Sequence, residues 1–133
     1  MRTVVVLQAR TASTRLPGKA LLSLAGYPTA VLAALRAGNF HDEIIVATSD
    51  QPSDDKLSEQ LGRFGVRVVR GPLDDVLGRF HLAVSRVPDD ATIIRLTGDN
   101  VVPDGTFIRE LAQAFSESAV EYLSQSSPQS KLP

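Results

Sequence analysis

Four short runs rich in β-branched residues recur along this 133-residue chain, and segments with helical spacing lie between them. They read TVVVLQ at 3–8, EIIVAT at 43–48, VRVVR at 66–70 and ATIIRLT at 91–97. Short apolar runs without strict alternation suit strands covered on both faces, and strands that alternate with helices imply βαβ units. Helices are expected over 28–38, over 53–64, from Asp74 or Asp75 to just before Pro88, and over 106–116. Pro28 is acceptable in a first turn, Asp54 and Asp55 favour the start of the second helix, and Gly65 ends it. Leu57, Leu61 and Phe64 are expected on the inner face of that second helix, and Val76, Leu77, Phe80, Ala83 and Val84 follow helical spacing in the third. The fold class this predicts is α/β: a Rossmann-like, open, mostly parallel sheet with helices on both faces. One domain is expected over 1–123, and 124–133 (SQSSPQSKLP) is a polar tail without the apolar residues to add a core element.

Composition narrows the chemistry. With no cysteine there is no disulfide, thiolate metal site or cysteine nucleophile. No apolar run reaches bilayer length and no signal-peptide pattern follows Val4, so a soluble cytoplasmic protein without a membrane partner is expected. The net charge of −1 hides a division: residues 1–41 contain five basic side chains (Arg2, Arg10, Arg15, Lys19, Arg36) and no acidic one. Only 5% of residues are aromatic and the total is not basic, which argues against nucleic acid and for a compact phosphate ligand.

In an open parallel sheet, ligands bind beyond the carboxyl ends of the strands. Three segments belong there. ARTASTRLPGK, 9–19, carries Arg10, Arg15 and Lys19 with the hydroxyls of Ser13 and Thr14, a set of donors suited to oxyanions. It is not a Walker A loop, since Ala20 follows Lys19, and no GxGxxG follows the first strand. VRGPLDDV, 69–76, turns at Gly71 and Pro72; Asp74 or Asp75 can cap the third helix, and Arg70 can reach a base or phosphate or pair with one of those aspartates. RLTGDNVVPD, 95–104, places Asp99 just after a buried strand, where a carboxylate can hold Mg²⁺ together with substrate phosphates. His41 and His81 are assigned no role.

Together these segments resemble the cytidylyltransferase-like sugar nucleotidyltransferases, the family of the CMP-sugar-acid synthetases and the spore-coat polysaccharide glycosyl nucleotidyltransferases. The strongest piece is QARTASTRLPGK at 8–19; IIVATSD at 44–50, RGPLDDVLGRF at 70–80 and IIRLTGD at 93–99 support it in the same order. The resemblance implies a nucleotide-diphospho-sugar transferase type of fold and transfer of a nucleoside monophosphate, CMP from CTP, to a sugar or sugar acid with release of pyrophosphate. It implies that Arg10, Arg15 and Lys19 bind the triphosphate, that Arg10 and Lys19 act in catalysis, that Leu7, Gln8, Ala9 and Arg10 line the nucleotide through backbone groups, and that Asp99 binds Mg²⁺. Ser13, Thr14 and Arg70 complete the expected nucleotide contacts.

The chain departs from the family pattern after Gly98-Asp99, where Asn100, Val101 and Val102 precede Pro103 in place of Cys-Pro-Leu or a close variant. The family also continues well past this length, with a later segment that supplies sugar contacts and a second acidic metal ligand. A truncated, weakly active or inactive chain is therefore expected; homodimers are usual among relatives, while a monomer stays open here. The competing reading is a noncatalytic nucleotide-binding or interaction domain derived from such an enzyme. A receiver-like or flavodoxin-like domain shares the architecture but calls for acidic residues where this chain has Arg10.

Overall fold

The computed structural model describes residues 2–11, 21–24, 26–38, 43–97, 105–119 and 121–122. Its elements run β1 (Thr3–Gln8), β2 (Ser23–Leu24), β3 (Tyr27–Pro28), α1 (Thr29–Ala37), β4 (Glu43–Ser49), α2 (Asp55–Arg63), β5 (Arg67–Gly71), α3 (Val76–Val84), β6 (Thr92–Thr97) and α4 (Gly105–Ser118). The four expected strands form one parallel sheet in the order β5-β4-β1-β6. The first two crossovers move outward from β1 on one side, and the third returns past it to place β6 on the other. The gap between β1 and β6 is therefore the point at which the strand order reverses.

The two faces of β1 divide its side chains. Leu7 packs against α1 and α2 with Val46, Leu57 and Leu61, and Val5 joins Ala37 of α1 and Ile108 of α4. Val4 and Val6 face the opposite way, with Ile45 and Ala47, against Phe80, Ala83 and Val84 of α3. Helices thus cover both faces, and the change of face coincides with the reversal of strand order, as the right-handed crossover rule requires. Val4, Val5, Val6 and Leu7 are all fully buried. Each such side chain contributes about 1.5–3 kcal/mol relative to exposure, which explains why a run this short can organise the sheet.

Local chemistry sets the helix ends. The amide of Val66 donates to Leu61 O at 3.0 Å and that of Gly65 to Gly62 O at 3.0 Å, with Gly65 at φ 75°. This Schellman closure places a left-handed residue where only glycine sits without strain. Asp75 caps α3, its carboxylate accepting from the Gly78 amide at 2.7 Å.

Three expectations are corrected. A 3₁₀ turn, Pro52–Asp54, precedes α2, because the Asp54 side chain makes no cap bond to the helix and is directed elsewhere. Phe64 leaves the inner face: as the residue after the last turn it is 40% exposed, with its ring 5.4 Å from that of Tyr27. Val76 and Leu77 begin α3 but are not covered, Leu77 being 77% exposed, since packing starts one turn later at Phe80. The β2–β3 hairpin, closed through Gly26 at φ 85°, had no counterpart in the hydrophobic pattern because its strands are only two residues long.

Candidate functional site

At the carboxyl edge of the sheet, β1 ends at Gln8 and β6 at Thr97, and these two residues are register partners. The segment carrying Arg10, Arg15 and Lys19 and the segment carrying Asp99 therefore follow adjacent strand ends, at the reversal of strand order where open α/β sheets bind ligands. Leu7 is a core residue with no exposure, paired with Val46 on one side and Leu96 on the other. Ala9 is buried and continues the pairing, its amide donating to Ala47 O at 3.1 Å. Arg10 is the first exposed side chain of the segment. Ser13, Thr14, Arg15, Lys19 and Asp99 lie outside the described residues. Among the described residues no group of three or more His, Asp or Glu side chains could hold a metal ion.

Gln8 ties three elements together on the α3 face. Its Oε1 accepts from Arg95 Nε at 2.8 Å, and its Nε2 approaches Val76 O at 3.4 Å, the carbonyl at the start of α3. Arg95 was given no role in the sequence, because its partner is remote along the chain: it lies on β6, 87 positions from Gln8.

Arg70 stands at the end of β5, and β4 separates that strand from β1. Its Nε donates to Ser49 O at 2.8 Å, and its Nη2 donates to Gln51 O at 2.9 Å and to Asp55 Oδ1 at 2.8 Å. The ion pair is therefore with Asp55, not with Asp74 or Asp75, because the side chain lies back over the β4–α2 turn. The buried guanidinium of Arg79 in α3 braces the neighbouring loop by donating from Nη1 to Leu73 O at 2.7 Å.

Asp54 stands directly before α2, as expected, but the role of its side chain was missed. It is fully buried, its Oδ1 accepts from the backbone amide of Thr11 at 2.6 Å, and its Oδ2 accepts from the hydroxyl of Ser49. The same hydroxyl oxygen accepts from the Gln51 amide at 3.3 Å. Burial works to raise the Asp54 carboxyl, but the hydrogen bonds from Ser49 and Thr11 outweigh it and hold the pKa below the ordinary aspartate value. No signal local in sequence separates this aspartate from Asp55, which is exposed.

A depressed folded-state pKa stabilises the fold above the unfolded aspartate pKa, and that contribution is lost as pH falls through the folded value. Glu43 behaves alike at the opposite edge of the sheet: burial works to raise its carboxyl, and Arg2 and Arg67, at 2.6 and 2.5 Å, lower it to below the usual glutamate range. Urea midpoints are accordingly expected to fall as pH is lowered from 7 toward 3, and the Asp54→Asn variant to show a shallower acid limb than the wild type. Parallel acid limbs would mean that the Asp54 charge is not held by these donors.

Comparison with known proteins follows this geometry. Residues 4–131 match the sequence profile of the family described as cytidylyltransferase. The spore coat polysaccharide biosynthesis protein SpsF of Bacillus subtilis (strain 168) is 36% identical, across 88% of this chain and 51% of the relative. A 3-deoxy-manno-octulosonate cytidylyltransferase of Aeromonas hydrophila is 33% identical, across 96% and 53%. Among solved structures, a cytidylyltransferase from Leptospira borgpetersenii superposes with a TM-score of 0.80 at 30% identity, across 90% of this chain and 50% of that one. A CMP:2-keto-3-deoxy-manno-octonic acid synthetase complexed with CTP superposes with a TM-score of 0.76 at 27% identity, across 89% and 48%. The chain thus spans about half the length of the relatives it matches. No helix among the described residues is long and apolar enough to cross a membrane. A parallel sheet whose central strand leads into a cationic sequence segment at the point of strand reversal, matched over nearly its whole length by this family's profile and by these proteins, places the chain in the cytidylyltransferase family.

Proposed function

We propose that this chain forms the nucleotide-binding half of an enzyme that transfers CMP from CTP to a sugar or sugar acid for surface polysaccharide biosynthesis, acting in the cytoplasm. The observation that carries the reading is the departure of the segment containing Arg10, Arg15 and Lys19 from β1 beside the end of β6, in a chain of this family. The names of the relatives supply the sugar acid and the polysaccharide context.

In the reaction proposed, an oxygen of the sugar attacks the α-phosphorus in line. A bond forms between that oxygen and the α-phosphorus, the bond from the α-phosphorus to the α,β-bridging oxygen breaks, pyrophosphate leaves with the electron pair, and the sugar hydroxyl gives its proton to solvent. Negative charge grows on the α-phosphoryl oxygens and on the departing pyrophosphate. Arg10 and Lys19 are assigned to that charge, Arg15 with the hydroxyls of Ser13 and Thr14 to holding the triphosphate, and the strand end at Gln8 and Ala9 to lining the nucleotide. Cations fixed in advance act more strongly on the transition state than on the ground state. Asp99, two residues beyond Thr97, is assigned to Mg²⁺, a hard oxygen donor being what that ion requires; when bound, the ion would neutralise triphosphate charge. Pairing of two copies belongs to the same proposal.

Calorimetric titration with CTP, UTP, ATP and GTP, each with and without Mg²⁺, tests the reading. Magnesium-dependent binding selective for CTP is the expected result. No binding, or equal binding of all four nucleotides, would sink it. CTP binding without pyrophosphate release on addition of 3-deoxy-manno-octulosonate would favour the noncatalytic domain.

A further inference from the structure

The Asp54 carboxylate occupies the position before α2, where the ordinary use of an aspartate is to cap the helix, yet it makes no cap bond. It is instead sunk to zero exposure between two strand ends. A buried carboxylate is unfavourable unless its oxygens are satisfied, and here each oxygen has its own donor: the Thr11 amide on one, the Ser49 hydroxyl on the other. Thr11 directly follows Arg10, the first exposed residue of the phosphate-loop segment, and is the last described residue before 12–20. Ser49 ends β4, and the turn behind it is fixed from a third strand by Arg70 through Ser49 O, Gln51 O and Asp55. The chain of contacts therefore runs from β5 through the β4–α2 turn to the base of the loop that leaves β1.

We propose that Asp54 is a positioning residue for the strand end that leads into the cationic segment, clamping the backbone at Thr11 so that the neighbouring Arg10 meets the triphosphate in a fixed arrangement. The proposal rests on the nucleotide-binding reading above. A charged acceptor suits the task because a charge-assisted bond to a backbone amide is stronger than a neutral one and does not depend on which side chains the loop carries. Arg70 acts one step further back, holding the turn from which Asp54 projects. A loop held before ligand arrives loses less conformational freedom on binding, so the clamp acts on affinity for the phosphates and not on recognition of the base.

Asp54→Asn tests this with little change of shape. Its amide offers one acceptor oxygen in place of two, so the Thr11 and Ser49 donors can no longer both be met as before. Asp54→Ala removes the clamp, and Val4→Ala serves as a control that lowers stability from the buried far end of β1. Three readouts are taken at a temperature where circular dichroism shows each variant folded: CTP affinity with Mg²⁺, cytidine affinity by chemical-shift titration, and amide hydrogen exchange at Thr11 relative to Val5 and Val46.

The expected result for Asp54→Asn is CTP binding about tenfold weaker, cytidine binding unchanged and faster exchange confined to Thr11. Val4→Ala should lower Tm and leave the ratio of the two affinities as in the wild type. Equal weakening of CTP and cytidine, or a Thr11 amide exchanging as in the wild type, overturns the positioning role. Should Asp54→Ala fail to fold, the Asn variant decides alone. If the wild-type chain binds neither CTP nor cytidine, the functional reading fails and the proposed effect on affinity fails with it, whereas a change in Thr11 exchange would still establish the clamp as a structural contact.

Discussion

Arg15→Ala is expected to weaken magnesium-dependent CTP binding by about 10- to 100-fold while leaving the thermal midpoint within about a degree or two of wild type. The argument is one of charge and geometry. A guanidinium fork meets phosphate oxygens through paired, charge-assisted hydrogen bonds, and removing one such contact costs about 1.5–3 kcal/mol, where each 1.4 kcal/mol is a factor of about ten in affinity. Arg15→Lys should fall between the two, since lysine keeps the charge and loses the fork. The control is Arg63→Ala: Arg63 closes α2 and pairs with Glu59 at 2.9 Å in an exposed i,i+4 bridge, a contact worth at most about 0.5 kcal/mol. Isothermal titration at two salt concentrations separates the cases further, because an electrostatic contact with a triphosphate loses strength with added salt. An Arg15→Ala variant that binds CTP as tightly as the wild type would remove the 9–19 segment from the triphosphate site.

Leu61→Ala is expected to lower the unfolding free energy by about 2–5 kcal/mol, the range for deleting a buried leucine and leaving a cavity. Leu61 is fully buried and packs in the cluster that joins Leu7 and Val46 of the sheet to Ala30, Val31 and Ala34 of α1. It also contributes the carbonyl that closes the end of α2 on Val66, so a shift of the helix into the cavity disturbs its own termination. Since domains of this size are stable by only about 5–15 kcal/mol, the loss is a large fraction of the total. Phe64→Ala, three residues on, should cost roughly 1 kcal/mol, because its ring is 40% exposed and meets mainly Tyr27. Urea unfolding of both variants checks the pair. Equal losses would mean that Phe64 holds α2 to the sheet as strongly as Leu61 does.

Much of the frame was legible before any coordinates. Thr3–Gln8 was bounded correctly as a strand, the other three strands within a residue, and all four helices were found, because burial on both faces demands continuous apolar runs and helix packing demands a repeating stripe. The cationic segment after β1 was legible for a similar reason: a parallel sheet directs the residue after its first strand to the ligand edge. Periodicity failed where burial depends on which neighbours arrive. Val76 and Leu77 satisfy the helical stripe of α3 yet overhang its start, and Phe64 satisfies that of α2 yet sits past its last turn.

The sequence by itself determined the alternation of strands and helices, the absence of cysteine chemistry, and the placement of Arg10, Arg15 and Lys19 after the first strand, since each depends on composition or on spacing within a few residues. Only the tertiary structure decided that Asp54 is buried against the Thr11 amide while Asp55 meets Arg70 at the surface, and that Gln8 holds Arg95. Capping rules and i,i+4 rules compare residues close along the chain. The bonds from Thr11 to Asp54, Arg70 to Asp55 and Arg95 to Gln8 span 43, 15 and 87 positions, and the strand order β5-β4-β1-β6 is what brings those ends to one edge.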